Sequence, residues 1–501
     1  MKKIAILLAS TLLAGAAVAL PPDSTIASRA ARSIHEPATL LTVAWENPAV
    51  NQWRRDYSIS DITARFALRD DSEPVDVQRG DREETWSFDA RTYMKHRAST
   101  LWGRAFYDNG HVNHVVWNET SDLDVVAPYV LADAVGGRMN VERYSFMGGY
   151  ASHNERWAWG GQLGYTAGLY YRDVDPRPRN VTASLTATAG GGYRVLPDAV
   201  LALSLNFEKY KQTNNVAFYS ELGNEKLFHL TGLGNDYGRF AGTAYATYYK
   251  GYRWGTTLAF HPTGGRGLSV AATLSRLTLD NVLTTLNKLP MARVGHNELR
   301  AEAGWLDSAF AVVARVEAAR RVGTENIFGD ATAGVYPQLT SLDNYHENRF
   351  AVGLQSAWMP RWNHWSAELR PALGYRHLNI IYAEPQAQRQ LNTLWGGLAA
   401  RAGWQRQRVH CALGMGAAFS HALSERFLLP RGKDELAGLY DAIALNHTHA
   451  AANVVALTAD CRVTVALNSR FALRATARYR RDAYHDGPTR QCVVTSLSLL
   501  F

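Results

Sequence analysis

Cysteines and long apolar runs are both scarce in this sequence. Three cysteines in 501 residues are too few for a disulfide-rich secreted fold. Only one stretch, at the N-terminus, resembles a hydrophobic helix, and the mean hydropathy is −0.23. These two properties exclude a helical membrane bundle. The apolar fraction of 47% excludes a disordered chain.

The sequence also lacks a large excess of positive or negative charge. Lys and Arg total 53 and Asp and Glu total 45, so the formal net charge is +8. A nucleic-acid-binding chain of this length would usually be more basic. We therefore expect no nucleic-acid partner.

The first residues have the composition of an export signal. Lys2 and Lys3 precede an apolar run from Ile4 to Leu13, and an A-x-A cleavage site follows at 17–19. The apolar run is too short to span a bilayer. We predict a signal peptide over residues 1–19 and export from the cytoplasm.

Side-chain alternation with a period of two dominates the remaining chain. At the C-terminus, Val493, Leu497 and Phe501 share one strand face, while Cys492 and Ser496 share the other. A terminal strand that ends on an aromatic residue resembles the C-terminal signature of bacterial outer-membrane barrels. Similar apolar faces recur along most of the chain, in strands of about 10 to 15 residues, long enough for a tilted membrane crossing.

The predicted fold is all-β: a transmembrane outer-membrane β-barrel of about 18 antiparallel strands, with 16 as the alternative. The alternation alone yields 19 strands, which violates the even number of bacterial barrels. We place the error between Tyr237 and Leu277, where tight links near 250–251 and 264–265 break the alternation of short and long connections. Residues 57–501 form the predicted barrel, and residues 20–56 a periplasmic or lumenal segment.

The strand faces opposite the apolar ones are charged and are expected to line the lumen. Two interpretations stay open for them: a ladder of arginines that selects anions, or ion pairs with carboxylates on neighbouring strands. The predicted lumen-lining residues are Arg470, Arg474, Arg478, Arg480, Asp460, Arg370, Glu368, Arg315 and Glu317.

One connection is unusually rich in charge and proline. It is predicted either to bind an acidic or metal-bound ligand outside the cell, or to be a rigid turn with solvated charges. Its candidate residues are Arg172, Asp173, Asp175, Arg177 and Arg179.

No motif indicates a catalytic, cofactor or metal site. His447 and His449 share a face if they begin a strand, but nothing nearby completes a metal-ligand set. G-x-S-x-G and H-E-x-x-H are absent from the sequence. We therefore predict no catalytic residues, no cofactor and no metal. Strand phase places Cys411 and Cys461 outside and Cys492 inside, so Cys492 cannot readily bridge to Cys461. A Cys411–Cys461 bridge requires that neighbouring strands align the two residues, and we expect free thiols.

Several stretches resemble a Bacteroidota family of outer-membrane barrels that is catalogued only as a domain of unknown function. The resemblance implies an outer-membrane barrel without catalytic residues, and an association with TonB-dependent uptake receptors. The similar stretches are Asn47-Pro48-Ala49, Arg54 to Tyr57, Pro128-Tyr129, Ala132-Asp133, Gly136-Gly137, Glu142 to Phe146, Gly148 to Tyr150, Tyr171 to Asn180, Thr231 to Gly234 and Arg239-Phe240.

Three functions remain open at this stage. The first is a pore or accessory component in nutrient uptake, with iron or haem as candidate cargo. The second is a surface binding or scaffold barrel that acts with a partner such as a TonB-dependent receptor or surface lipoprotein. The third is an outer-membrane hydrolase, which no motif supports; we expect no enzyme. In each case the protein is expected in the outer membrane of a Gram-negative cell, in contact with lipid.

Overall fold

The computed structural model describes residues 25–33, 36–220, 225–242, 246–332, 334–406 and 408–501. The predicted signal peptide lies outside these ranges. Eighteen long strands make up most of the described chain. They are β1 Ile59–Asp71, β2 Arg82–Lys95, β3 Ser99–Val115, β4 Gly137–His153, β5 Trp157–Tyr171, β6 Arg177–Leu196, β7 Ala199–Ala217, β8 Ala246–Pro262, β9 Gly267–Leu283, β10 Leu289–Leu306, β11 Phe310–Phe328, β12 Gln338–Trp358, β13 Trp365–Tyr382, β14 Ala387–Arg406, β15 Val409–Leu428, β16 Val454–Ala466, β17 Ala472–Tyr484 and β18 Thr489–Leu500.

Each strand pairs antiparallel with its neighbours in the chain, and the first strand pairs with the last. The closing pair β1–β18 runs from Asp61↔Leu500 to Asp71↔Arg490. The sheet therefore closes as an 18-stranded antiparallel barrel without a free edge, which satisfies every strand's backbone groups inside a membrane. The prediction of an 18-stranded barrel is confirmed.

The alternation predicted 19 strands, one too many, because residues 250–251 were interpreted as a tight link between two strands. Lys250-Gly251 lies in the middle of β8 and is not a turn. Gly251 is needed there because a Cβ at this position would lie 2.8 Å from Leu279 Cδ1 on β9. The Lys-Gly pair thus reflects close packing inside the barrel.

The outer surface of the barrel is apolar. Trp254 is 63% exposed and Met415 is 71% exposed, and both point away from the lumen, as do the other predicted apolar faces. Aromatic side chains stand near the ends of this apolar band, for example Trp157 and Tyr193 at the short-turn end. A closed barrel with an even number of strands, an apolar exterior and aromatic girdles is the architecture of an outer-membrane protein.

The remaining elements fill the two ends of the barrel. They are the helices α1 Ile26–Arg32, α2 Leu123–Val126 and α3 Ala437–Ala451; the short strands Val130–Ala132, Phe228–Gly232, Asn235–Asp236 and Arg361–Trp362; and the 3-10 turns Pro37–Leu40, Ala44–Glu46, Asn51–Trp53, Val77–Arg79, Gly238–Phe240 and Asp434–Leu436.

Short turns and long loops lie at opposite ends. The connections 96–98, 154–156, 197–198 and 307–309 are tight, and Ile26 and Phe501 lie at the same end. Since short turns face the periplasm in such barrels, the long loops face outward. No helix in the described residues is both long and apolar enough to span a membrane.

Candidate functional site

The periplasmic end of the lumen is filled by residues 36–58, called here the periplasmic segment. Its Leu41, Val43 and Val50 are buried against inward-facing side chains that include Leu306 and Ala357. The contact is a small hydrophobic core built between the segment and the inner wall. This end of the barrel is therefore closed by the chain itself.

Charged side chains of the wall hold the periplasmic segment in place. Glu302 on β10 accepts hydrogen bonds from the backbone N–H groups of Thr42 and Ala44, both at 2.8 Å. Arg300 on the same strand pairs with Glu46 at 2.6 Å. Carboxylates that accept backbone N–H groups make strong hydrogen bonds, but these remain separable, unlike covalent links.

Glycines in the wall let the segment approach closely. A Cβ at Gly190 on β6 would lie 2.4 Å from Asn47 Oδ1, and one at Gly160 on β5 would lie 2.7 Å from the Pro48 backbone. Any side chain at these two positions would displace the segment. The inner wall and the periplasmic segment are thus complementary in shape.

Three long loops close the outer end. These loops, called here the outer cap, comprise residues 116–136, 218–220, 225–242 and 429–453. The ranges 116–136, 225–242 and 429–453 share one hydrophobic core with the upper inner wall. Phe218 packs in a second cluster with Leu131 and Leu227. Trp117, Phe228 and Leu439 belong to this core, as does Tyr249 of β8, whose hydroxyl donates to Tyr129 O at 3.0 Å. Both ends of the lumen are therefore covered.

A buried polar group joins the cap to the β5–β6 connection. The Arg172 guanidinium donates to Glu119 Oε1 at 2.5 Å and to Asp133 Oδ2 at 3.0 Å, and its Nε donates to Pro176 O at 2.7 Å. Asn180 and Asn214 donate to Glu119 O. We call Glu119, Asp133 and Arg172 the cap latch.

The two carboxyl groups of the cap latch differ in protonation. Burial, together with the adjacent Asp133, raises the pKa of Glu119 well above its ordinary value. Burial also opposes ionisation of Asp133, but the hydrogen bond with Glu119 and the charge of Arg172 outweigh it, so the pKa of Asp133 is lowered. The proton therefore resides on Glu119, and Asp133 is the counter-charge of Arg172.

The histidine pair of the outer loop does not begin a strand, contrary to the sequence-based interpretation. His447 and His449 lie in α3, where positions two apart face different directions. His447 stacks on Phe427 and pairs with Glu425, and His449 packs near Tyr484. Among the described residues, no group of three or more potential ligands is arranged to hold a metal ion.

Between the two closures, the inner wall of β13–β17 forms a cavity of about 340 Å³. Its charged lining residues are Glu368, Arg370, Arg401, Asp460, Arg478 and Arg480. Small inward residues, including Gly397 and Gly416, make the room for these long side chains. Four arginines face two carboxylates in this lining, and one of the four, Arg480, also pairs with Asp482 at 2.6 Å. We call this space the arginine cavity.

Ion pairs neutralise only some of the charged side chains in and beside the arginine cavity. Arg401 bridges Glu368 at 2.9 Å and Asp460 at 3.1 Å, and Arg370 also contacts Glu368. Arg478 has no ion-pair partner among the residues that the structure describes. Next to the cavity, Arg462 keeps its buried Nε and Nη1 atoms without hydrogen-bond partners in the described chain. Two guanidinium groups are therefore available to an anion.

The predicted lumen-lining residues divide into three groups. Glu368, Arg370, Asp460, Arg478 and Arg480 meet in the arginine cavity. Arg315 and Arg474 instead donate to the backbone of the N-terminal part, at Leu40 O and Ala30 O.

The other two residues of that prediction lie apart. Glu317 is exposed on the inner face of β11, without an ion pair among the described residues. Arg470 differs from the expectation: it precedes Ala472, where β17 begins, and lies exposed in the periplasmic turn.

The charged connection after β5 is only partly solvated. Arg172 is buried in the cap latch, whereas Asp173 and Arg179 are exposed. Asp175 accepts the backbone N–H groups of Tyr219 and Ser220 at 2.6 and 2.7 Å, and Arg177 pairs with Asp175 at 2.6 Å. The connection therefore fastens two other loops, which neither sequence-based interpretation foresaw.

Sequence reasoning missed three functional residues. Arg401 follows the inward phase of β14 and could have been found from alternation with Leu398 and Ala400. Glu119 and Glu46 have no such signal, because each lies in an irregular segment and meets a partner far away in the sequence.

Comparison with known proteins gives a family but no curated relative. The model of a family described as "Family of unknown function (DUF6850)" matches residues 48–501. No curated protein matches the chain.

Several solved structures are similar to this chain. The ferric preacinetobactin receptor BauA from Acinetobacter baumannii is 8% identical, with 89% of this chain and 80% of that chain covered at a TM-score of 0.44. The copper transporter OprC is 8% identical, with 89% and 82% covered at 0.42. The CymD monoaromatic hydrocarbon channel is 9% identical, with 91% of each chain covered at 0.31. Likeness at this level carries no information about substrate.

Proposed function

We propose that this chain, which belongs to the DUF6850 family of unknown function, is an outer-membrane uptake barrel that passes small anionic solutes through the arginine cavity. In this proposal the barrel moves solute and catalyses no reaction. Residues 1–19 are its export signal, residues 20–56 include the plug of the periplasmic mouth, and residues 57–501 are the barrel.

The observation that carries the proposal is the unbalanced charge of the arginine cavity. Arg462 and Arg478 face the lumen side of β16 and β17 without carboxylate partners among the described residues. In a lumen screened from bulk water, two such charges about 4 Å from an anion attract it by several kcal/mol at an effective dielectric constant near 20. Rings or ladders of arginine bias pores toward anions for this reason.

The two closures imply that passage is gated. An 18-stranded barrel leaves a water-filled interior unless its own chain fills it. Here the periplasmic segment and the outer cap fill the two mouths, and both are held by hydrogen bonds and ion pairs that can separate. Passage therefore needs displacement of both, and a partner at each face is a natural agent. We propose a TonB-dependent receptor or a surface lipoprotein as such a partner.

The arginine cavity favours cargo by its charge. A space of about 340 Å³ accommodates a small carboxylate or phosphate. Anionic iron chelates and haem, which carries two carboxylates, also have the required charge, and as larger molecules they need the closures to move. Iron and haem are therefore candidate cargo for the opened barrel.

The charge selectivity of an opened barrel tests the proposal. Combining Arg172→Met with Glu302→Gln releases both closures, and the reversal potential in a KCl gradient then reports the preferred ion. We expect chloride to be preferred, and the preference to disappear when Arg462→Gln and Arg478→Gln are added. Arg481→Gln, on the outer face of β17, is the matched control. Cation preference in the opened barrel would contradict the proposal.

A surface binding function is the second candidate, because two apolar side chains stand exposed at the rim of the cap. Val174 is 71% exposed and Tyr219 is 70% exposed, and Asp175 ties their loops together. A partner protein that docks there would be lost from detergent extracts of a Val174→Ser, Tyr219→Ser variant. Retention of all co-purifying proteins by this variant would count against the candidate.

A further inference from the structure

Basic side chains gather on one side of the barrel's outer surface. They point outward from five adjacent strands, β7 to β11, just beyond the lipid-facing leucines. The six residues are Lys209, Lys211, Lys250, Arg276, Arg293 and Arg320. We call them the basic patch.

The height of the basic patch matches the outer boundary of the lipid. Arg276 lies nine residues above Gly267, the periplasmic start of β9. At a rise of about 3.3 Å per residue and a tilt of about 40°, this is roughly 23 Å. The apolar band of such barrels is about 25 Å tall. Trp254, directly opposite Arg276 on β8, marks the same boundary as a girdle residue.

Two arginines of the patch flank one amide. Arg276, Asn297 and Arg320 occupy one cross-strand row on β9, β10 and β11, so the two arginines stand about 10 Å apart. Both are exposed, and neither has an ion-pair partner among the described residues. A carboxylate or phosphate at this row would find two free guanidinium groups.

An apolar groove continues from this row toward the membrane centre. The groove has a volume of about 940 Å³ and is lined by Leu205, Leu274 and Leu299 beneath Trp254. These leucines face lipid in the barrel. Acyl chains in contact with these leucines would lie directly below the arginine row.

A polar groove of about 920 Å³ lies above the same row. Lys250, Lys288 and Arg293 supply its positive charge. Asp280, the one carboxylate among its described lining residues, pairs with Arg293 at 2.7 Å and lies 4.0 Å from Lys250. Thr324, Asn326, Gln338 and Ser341 add hydroxyl and amide groups. Such groups are suited to hydrogen bonds with sugar hydroxyls.

Strands β2 to β4 lack this arrangement. At similar height, Trp86 and Tyr144 occupy the boundary on β2 and β4. The side chains above them carry both signs of charge: Glu142 and Arg138, and Glu84, which pairs with Arg82 at 2.7 Å. The basic patch is thus a local feature and not a general girdle.

We propose that the basic patch and its two grooves bind an acylated, phosphorylated glycolipid of the outer leaflet. The acyl chains lie on the leucines of the lower groove, a phosphate lies between Arg276 and Arg320, and the sugars occupy the upper groove. This site is on the lipid face and does not depend on the path through the lumen.

Native mass spectrometry of the purified full-length protein tests the proposal. The probes are bisphosphorylated lipid A, its monophosphorylated form, and phosphatidylglycerol. We expect the wild type to retain bisphosphorylated lipid A in preference to the other two. The Arg276→Gln, Arg320→Gln variant should retain it at least tenfold less, while Arg481→Gln, an exposed outward arginine on β17, should retain it as the wild type does. Heat-dependent gel migration verifies that each barrel is folded.

Three results would overturn the assignment. The first is equal retention of phosphatidylglycerol and lipid A by the wild type, which would indicate any anionic lipid. The second is unchanged retention by the double glutamine variant. The third is a loss as large in Arg276→Lys, Arg320→Lys, since lysines keep the charge that the proposal invokes.

Discussion

The Arg172 guanidinium donates a 2.5 Å hydrogen bond to Glu119 Oε1, and both side chains are almost completely removed from solvent. The two residues lie 53 positions apart, in different loops. Their contact fixes the loop 116–136 inside the outer mouth, which makes Arg172 the residue whose loss should loosen the cap most.

Arg172→Met is predicted to unlock the outer cap. Removing the cation leaves Asp133 buried without its counter-charge, and breaking a buried pair in this way costs about 3–5 kcal/mol. Protease cleavage in residues 429–453 of intact cells should therefore accelerate. Arg179→Met, an exposed arginine in the same region, is the control and should leave cleavage unchanged. Equal cleavage of both variants would contradict the latch.

The cap latch also predicts a dependence on pH. Because the folded-state pKa of Glu119 is raised, the folded cap binds a proton that the released cap gives up at neutral pH. The stability of the cap is therefore complete below the ordinary pKa of a glutamate. It is lost as pH rises through the raised folded value.

Glu119→Gln removes this titration while keeping a neutral hydrogen-bonding group. Alkaline pH should accelerate protease cleavage of the wild-type cap and should affect this variant less. A wild type whose cap is equally protected on both sides of neutral pH would show that Glu119 does not titrate there.

Glu302→Gln is predicted to weaken the periplasmic closure. The two carboxylate oxygens accept the N–H groups of Thr42 and Ala44. An amide keeps one accepting oxygen and places an NH2 donor at the other position, which costs about 1–2 kcal/mol in total. Hydrogen exchange of residues 36–58 should become faster. Glu317→Gln, whose carboxylate is exposed in the lumen, is the matched control. Exchange that is unchanged in Glu302→Gln would show that this contact does not hold the segment.

The three thiols distinguish the two faces of the wall. All three cysteines are free; Cys411 and Cys461 point outward, and Cys492 points inward opposite Arg480 and Arg69. In the opened barrel, an anionic methanethiosulfonate should label Cys492 faster than a cationic one of the same size. Detergent should shield the two outward thiols from both reagents, which mass mapping of the labelled peptides measures. Preferential labelling of Cys461 by the charged reagents would place the aqueous face outside.

The barrel wall could be predicted from sequence because every strand obeys a single rule. Lipid imposes apolar side chains at alternate positions, so the phases of Leu457, Arg474 and Leu497 follow directly from their spacing. The strand count was one too high because Gly251 was interpreted as a turn residue. The glycine is instead required by the close approach of Leu279.

The closures could not be predicted because their contacts are remote and irregular. Glu302 meets Thr42 at a separation of 260 residues, and Glu119 meets Arg172 from a loop without periodicity. The helix α3 was not predicted, because the spacing of two positions between His447 and His449 was interpreted as one face of a strand. The arginine cavity was predictable in its members but not in its charge balance, since only the structure shows which arginine each carboxylate pairs with.

Single-channel recording in planar bilayers tests most directly whether two separable closures gate the lumen. The wild type, Arg172→Met, Glu302→Gln and the double variant are compared at one voltage and salt concentration. The account predicts a silent or rarely open wild type, brief openings in each single variant and sustained conductance in the double variant. Equal conductance in all four proteins, or none in the double variant, would contradict it.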